Sequence, residues 1–109
     1  MTITEMAEKA CATATSKGFV VDPNNLDRLL LLTVGEIIEA HNELRAGRLP
    51  IEVYFSEGNK PEGFGVEVAD AIIRLAQMAH ALDIPLEYLI GLKMAFNDGR
   101  PPMHGGKKF

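Results

Sequence analysis

From Asn24 to Ala46 the chain runs about 23 residues with helical patterning, opened by Asp22-Pro23 and closed by Gly47, and this stretch limits the folds open to it. As a helix it would be roughly 35 Å long at 1.5 Å per residue. Leu26, Leu30, Val34 and Ile37 form one apolar stripe, and Leu31, Ile38 and Leu44 widen it. An apolar surface this broad predicts a central helix that packs against several neighbours.

Three further helices are expected. The first spans Ile3 to Ser16, with Thr2 or Thr4 as its cap and Lys17-Gly18 as its stop. The third covers Gly65 to Leu82, with Val66, Ala69, Ile72, Ile73, Ala76 and Ala79 as packing surface. The fourth runs from Pro85 to Asn97, with Asp83 as candidate cap. The connection from Gly47 to Pro61 is long for a helix-to-helix link, which points to a covering role. Its middle, IEVYF, reads as a short extended piece, but one strand makes no sheet and no run shows period-two alternation. The expected fold is all-α, a single four-helix domain over residues 1–109 with helices two and three antiparallel. Residues 98–109, DGRPPMHGGKKF, form a basic Gly/Pro-rich segment whose simplest reading is a solvated tail. A chain of 109 residues buries only a small core, so a second subunit is a natural source of further buried surface.

Composition narrows the function classes. With 47% hydrophobic and 24% charged residues, the chain is not a charge-rich disordered segment. A formal net charge of -4 argues against a nucleic-acid backbone as partner. An aromatic content of 6% offers no stacking platform for single strands. The longest purely apolar run, Leu29 to Leu32, is far short of a membrane span, and MTITEMAEK does not read as a signal peptide. Cys11 is the only cysteine and has no partner for an internal disulfide; a reducing, cytoplasmic setting is the expectation.

The acidic residues are the informative ones. In GEIIEAHNELR, Glu36, Glu39 and Glu43 share one helix face, as Glu67 and Asp70 do on the third helix. Like charges at this spacing repel, and buried without partners they cost several kcal/mol each. Ion pairs are the plain remedy: Arg74 lies four beyond Asp70, and Arg45 and Arg48 are within reach of the second helix. The sharper remedy is a divalent cation held by Glu36, Glu39, Glu67 and Asp70. Oxygen ligands suit Mg²⁺, with Mn²⁺ an acceptable substitute, and no close His or Cys favours zinc. Such an ion binds phosphates and lowers the pKa of bound water. No GxxxxGKS or GxGxxG loop is present, so phosphate charge would be met by the ion and by Lys93, Asn97, Arg100, His104 and Lys107 near the C-terminal end. Phe19, Tyr54, Phe55 and Phe64 are available as walls for a base, although core or loop packing is the plainer reading of each. Met6, Met78 and Met94 read as core, and Tyr88 as packed.

GEIIEAHNELRAG, GFGVEVADAIIRLAQMA and KMAFNDGRPPMHGGKKF together resemble the MazG-like all-alpha nucleoside triphosphate pyrophosphohydrolases, in their shorter phage-like branch. The resemblance runs from about Leu26 onward. It implies a four-helix fold completed by oligomerisation, as a homodimer or homotetramer with sites near subunit interfaces. It also implies that Glu36 and Glu39 form the ExxE, and Glu67 and Asp70 the ExxD, that bind Mg²⁺ in that family. Many members carry a paired glutamate one turn earlier, where this chain has Leu32 and Thr33. The implied reaction is hydrolysis of a nucleoside or deoxynucleoside triphosphate to the monophosphate and pyrophosphate. Two rivals use the same residues: a nucleotide- or metal-binding module without turnover, and a structural helical oligomer.

Overall fold

A computed structural model of the chain describes residues 1–101. Four α-helices dominate: α1 (Ile3–Ser16), α2 (Leu26–Arg45), α3 (Phe64–Ala81) and α4 (Leu86–Asp98). No helix among the described residues is long and apolar enough to cross a membrane.

The helix ends have local causes. The Thr2 hydroxyl accepts from the Glu5 amide at 3.0 Å, and the Glu5 carboxylate accepts from the Thr2 amide at 3.2 Å, closing a capping box on α1. Glu87 of α4 accepts from the Ile3 amide at 3.0 Å, which satisfies another free donor of that first turn and ties α4 to α1. The start of α2 is a single 3₁₀ turn over Pro23–Asn25, capped by the Asp22 side chain on the Asn24 amide at 2.7 Å. Asp83 does not cap α4. It sits at φ 57 in the turn after α3, a conformation aspartate tolerates, and Pro85 is the residue at the N-cap.

The connection between α2 and α3 contains a hairpin that the sequence reading lacks. Tyr54–Ser56 (β1) pairs antiparallel with Lys60–Glu62 (β2), matching Tyr54 with Glu62, Phe55 with Pro61 and Ser56 with Lys60. The second strand has three residues, one of them proline, and no apolar alternation, so it leaves almost no pattern to detect. Gly58 and Asn59 take the left-handed positions that reverse the chain.

The interior is made of small side chains: Ala7, Ala40, Ala71, Ala76 and Ala79 are buried with Met78, Thr33 and Glu67. The central element is α3, which packs against both α1 and α2. Glu36 of α2 meets Glu67 and Asp70 early in α3, while the earlier Leu29 and Leu32 share a groove with the later Ile73 and Gln77. The two helices therefore run antiparallel. Thr33 and Ala40 are the buried residues of α2, and their small size suits close approach to α3. The broad apolar stripe is not buried in the single chain: Leu30, Val34, Ile37 and Ile38 are exposed, and Leu31 is 70% exposed. Tyr88 and Met94 on α4 are exposed as well, not core, because α4 touches the rest of the chain only lightly. The chain exposes 8438 Å², against about 6,000 Å² for a compact monomer of this mass.

Candidate functional site

Antiparallel packing of α2 on α3 brings Glu36, Glu67 and Asp70 together, with one carboxylate oxygen from each within 4.8 Å of the other two. Glu67 is the buried member, at 7% exposure in the first turn of α3. Its amide donates to the Gly63 carbonyl at 3.1 Å, which fixes the turn that carries it. Its Oε2 has no hydrogen-bond partner, and a buried, unpartnered carboxylate oxygen is rare enough to require an explanation.

Burial pushes the Glu67 carboxyl up to about 8, and the neighbouring Glu36 and Glu39 carboxylates reinforce the shift by accepting its proton and by repelling its charged form. Asp70 is raised too, chiefly by burial and then by the Glu36 charge, with Arg74 and Lys60 opposing. A proton on Glu67 is thus one way to relieve the cluster, and a cation is the other. The donor set is all oxygen, one atom of it is buried and unpaired, and no His or Cys belongs to the group. These residues fit a hard divalent ion such as Mg²⁺ or Mn²⁺.

The remaining expected residues divide. Glu39 is exposed and outside the group of three, although its charge acts on both Glu67 and Asp70. Arg74 does not pair with Asp70 along its own helix; its Nε donates to Glu36 Oε1 at 3.0 Å across the helix pair. Glu43 anchors the connection, accepting from the Tyr54 hydroxyl at 2.7 Å and pairing with Arg48 at 3.4 Å. The Arg48 guanidinium also lies 3.7 Å over the Tyr54 ring, so Tyr54 packs and does not wall a base site. Lys93, Asn97 and Arg100 are exposed on or just beyond α4, and among the described residues none bonds to the acidic group. Lys93 and Arg100 instead lie over the Phe96 ring, at 4.9 Å and 5.9 Å from its centroid. His104 and Lys107 lie outside the described residues.

One cation near the cluster has no signature in the sequence. Lys60 of β2 pairs with Glu62 at 3.3 Å, and its charge is felt by Glu67, Glu39 and Asp70. Its path to the cluster depends on the hairpin, so no spacing rule could have found it.

Beside the cluster a groove of about 990 Å³ opens between α1, residues 17–25, α2 and α3. Asp70 and Arg74 belong to its lining, as do Phe19, Leu29, Ile73 and Gln77. Of the four aromatic candidates for a base wall, only Phe19 lines it. Comparisons with known protein families, with characterised proteins and with solved structures find no match to this chain.

Proposed function

We propose that the protein is a Mg²⁺-dependent hydrolase that converts a nucleoside or deoxynucleoside triphosphate to the monophosphate and pyrophosphate. One observation carries the reading. Glu67 is buried with an unpartnered oxygen beside two further carboxylates, an arrangement that costs stability unless a cation or a proton occupies it. The resemblance of the acidic and C-terminal motifs to MazG-like pyrophosphohydrolases supplies the reaction class.

Mg²⁺, when bound, contributes positive charge against the triphosphate and acidifies a water. Glu36, Glu67 and Asp70 would hold it, with the Glu67 carboxyl deprotonated. Glu39, exposed beside them, orients the attacking water and takes its proton. The water oxygen bonds to the α phosphorus, the α–β anhydride breaks, and pyrophosphate leaves. Lys60 and Arg74 balance charge on the phosphates. Lys93, Asn97, Arg100, His104 and Lys107 contact phosphate or sugar where assembly brings an α4 to the cluster.

That assembly is a homodimer or homotetramer. The exposed stripe Leu30, Leu31, Val34, Ile37 and Ile38 of α2 supports it, as does an accessible surface far above that of a compact monomer. Obligate interfaces bury about 2,000–5,000 Å² summed over both partners, and the excess of two such chains is of that order.

The test is incubation with each ribo- and deoxyribonucleoside triphosphate, with and without Mg²⁺. Pyrophosphate release is expected. Orthophosphate release would overturn the bond assignment, and binding without product would leave a silent module. The Arg74–Glu36 pair favours a second reading, a structural oligomer whose acids are merely paired; it requires that Mg²⁺ leave the melting temperature unchanged.

A further inference from the structure

Asp70, Arg74 and Gln77 are spaced four and three apart on α3, so they share one face of the helix. All three line the groove beside the acidic cluster. Along this face the chemistry changes in order: carboxylate, guanidinium, carboxamide. The rise from Asp70 to Gln77 is about 10 Å, the length of a nucleoside measured from its phosphate to the far edge of its base.

The groove around that face suits such an occupant. Its volume, about 990 Å³, is at the upper end of the usual range for small-molecule sites. Phe19, Leu29 and Ile73 give it apolar walls. Gln77 is half-buried, and its carboxamide takes no part in the side-chain hydrogen bonds of the described residues, so it has both a donor and an acceptor free. Lys9 and Arg28 also line the groove and keep it attractive to an anionic ligand. The groove adjoins the cluster at Asp70, which belongs to both.

We propose that this groove is the nucleoside half of the substrate site, with the phosphates at Asp70 and Arg74, the base between the apolar walls, and the base edge read by Gln77. The proposal rests on the hydrolase reading for the position of the phosphates. It goes further by naming where base and sugar lie and which side chain meets the base edge. Any base edge that presents an adjacent donor and acceptor can pair with a carboxamide in this way.

The test measures binding apart from turnover. The full chain is titrated calorimetrically with α,β-methylene analogues of the nucleoside triphosphates in Mg²⁺, and with inorganic tripolyphosphate as a probe that lacks base and sugar. Two variants are compared: Gln77→Ala, which removes the carboxamide, and Thr13→Trp, which places an indole into the groove from an exposed position on α1. Both are checked for an unchanged circular dichroism melt. The expected result is a loss of about tenfold or more in nucleotide affinity for each variant, with tripolyphosphate binding retained. Unchanged nucleotide affinity in both variants overturns the proposal, as does a parallel loss of tripolyphosphate binding or a wild-type chain that binds no nucleotide analogue. Pyrophosphate release is scored separately. Turnover with indifferent groove variants removes this proposal and leaves the hydrolase; groove-dependent binding without turnover does the reverse.

Discussion

Arg74 of α3 donates from Nε to Oε1 of Glu36 on α2 at 3.0 Å, joining the two acidic helices through the only arginine on α3. The Glu36 side chain is 13% exposed, while that of Arg74 is 41% exposed and partly screened by solvent. Arg74→Ala is therefore expected to cost about 1 kcal/mol in metal-free protein, measured by urea unfolding. Saturating Mg²⁺ should recover most of that loss, because the ion supplies the missing positive charge. A variant as stable as wild type in both conditions would show that the pair does not hold the helices together.

Glu67→Gln tests the cluster from its buried side. The amide is nearly the same shape and cannot ionise, so the metal-free protein should become more stable at pH 8. The rise in melting temperature that Mg²⁺ gives the wild type should vanish, and pyrophosphate release should fall by at least about a hundredfold. A variant with unchanged stability and an intact Mg²⁺ response would remove Glu67 from the ion site.

The same residue sets a pH dependence. Its folded-state pKa of about 8 lies above the ordinary 4.5, so the folded chain binds more protons than the unfolded chain between those values. Stability from this group is full below pH 4.5 and declines as pH rises toward 8. Asp70, also raised, acts in the same direction. Metal-free melting temperatures should thus fall across this window, and Mg²⁺ should flatten the slope by taking the proton's place. A slope that is equal with and without the ion would contradict this.

Gly63 starts the helical turn that carries Glu67. Its φ of 133 is a conformation that side chains rarely adopt, and a Cβ there would press on the backbone oxygen of Glu52. The Gly63 carbonyl also accepts from the Glu67 amide. Gly63→Ala should destabilise the chain by roughly 2 kcal/mol or more, and should weaken Mg²⁺ binding by shifting the first turn of α3. Chemical denaturation and calorimetric titration of the ion would measure the two effects.

The exposed face of α2 makes a further prediction. Wild-type protein should sediment as a dimer or tetramer, and Leu31→Glu should shift it toward monomer, since burying an unpaired carboxylate in an apolar interface costs several kcal/mol. A monomeric wild type at micromolar concentration would refute the assembly.

Much of this protein can be read locally. The four helices follow from apolar spacing and from end signals such as Thr2, Asp22 and Gly18, each acting over a few residues. That Glu36 and Glu39, or Glu67 and Asp70, share a face is likewise plain from three-residue spacing. Only packing settles which of these acids meet. The angle and depth at which α2 lies on α3 bury Glu67, bring Glu36 and Asp70 to it, and leave Glu39 outside. The same packing sends Arg74 across to a partner 38 positions away and not to the nearer Asp70. It also turns the Leu30–Val34–Ile37 stripe outward and folds Lys60 toward the cluster on a hairpin too short to leave a pattern. Such pairings arise from many small contacts among alanines on three helices, and no window of neighbouring residues contains that sum.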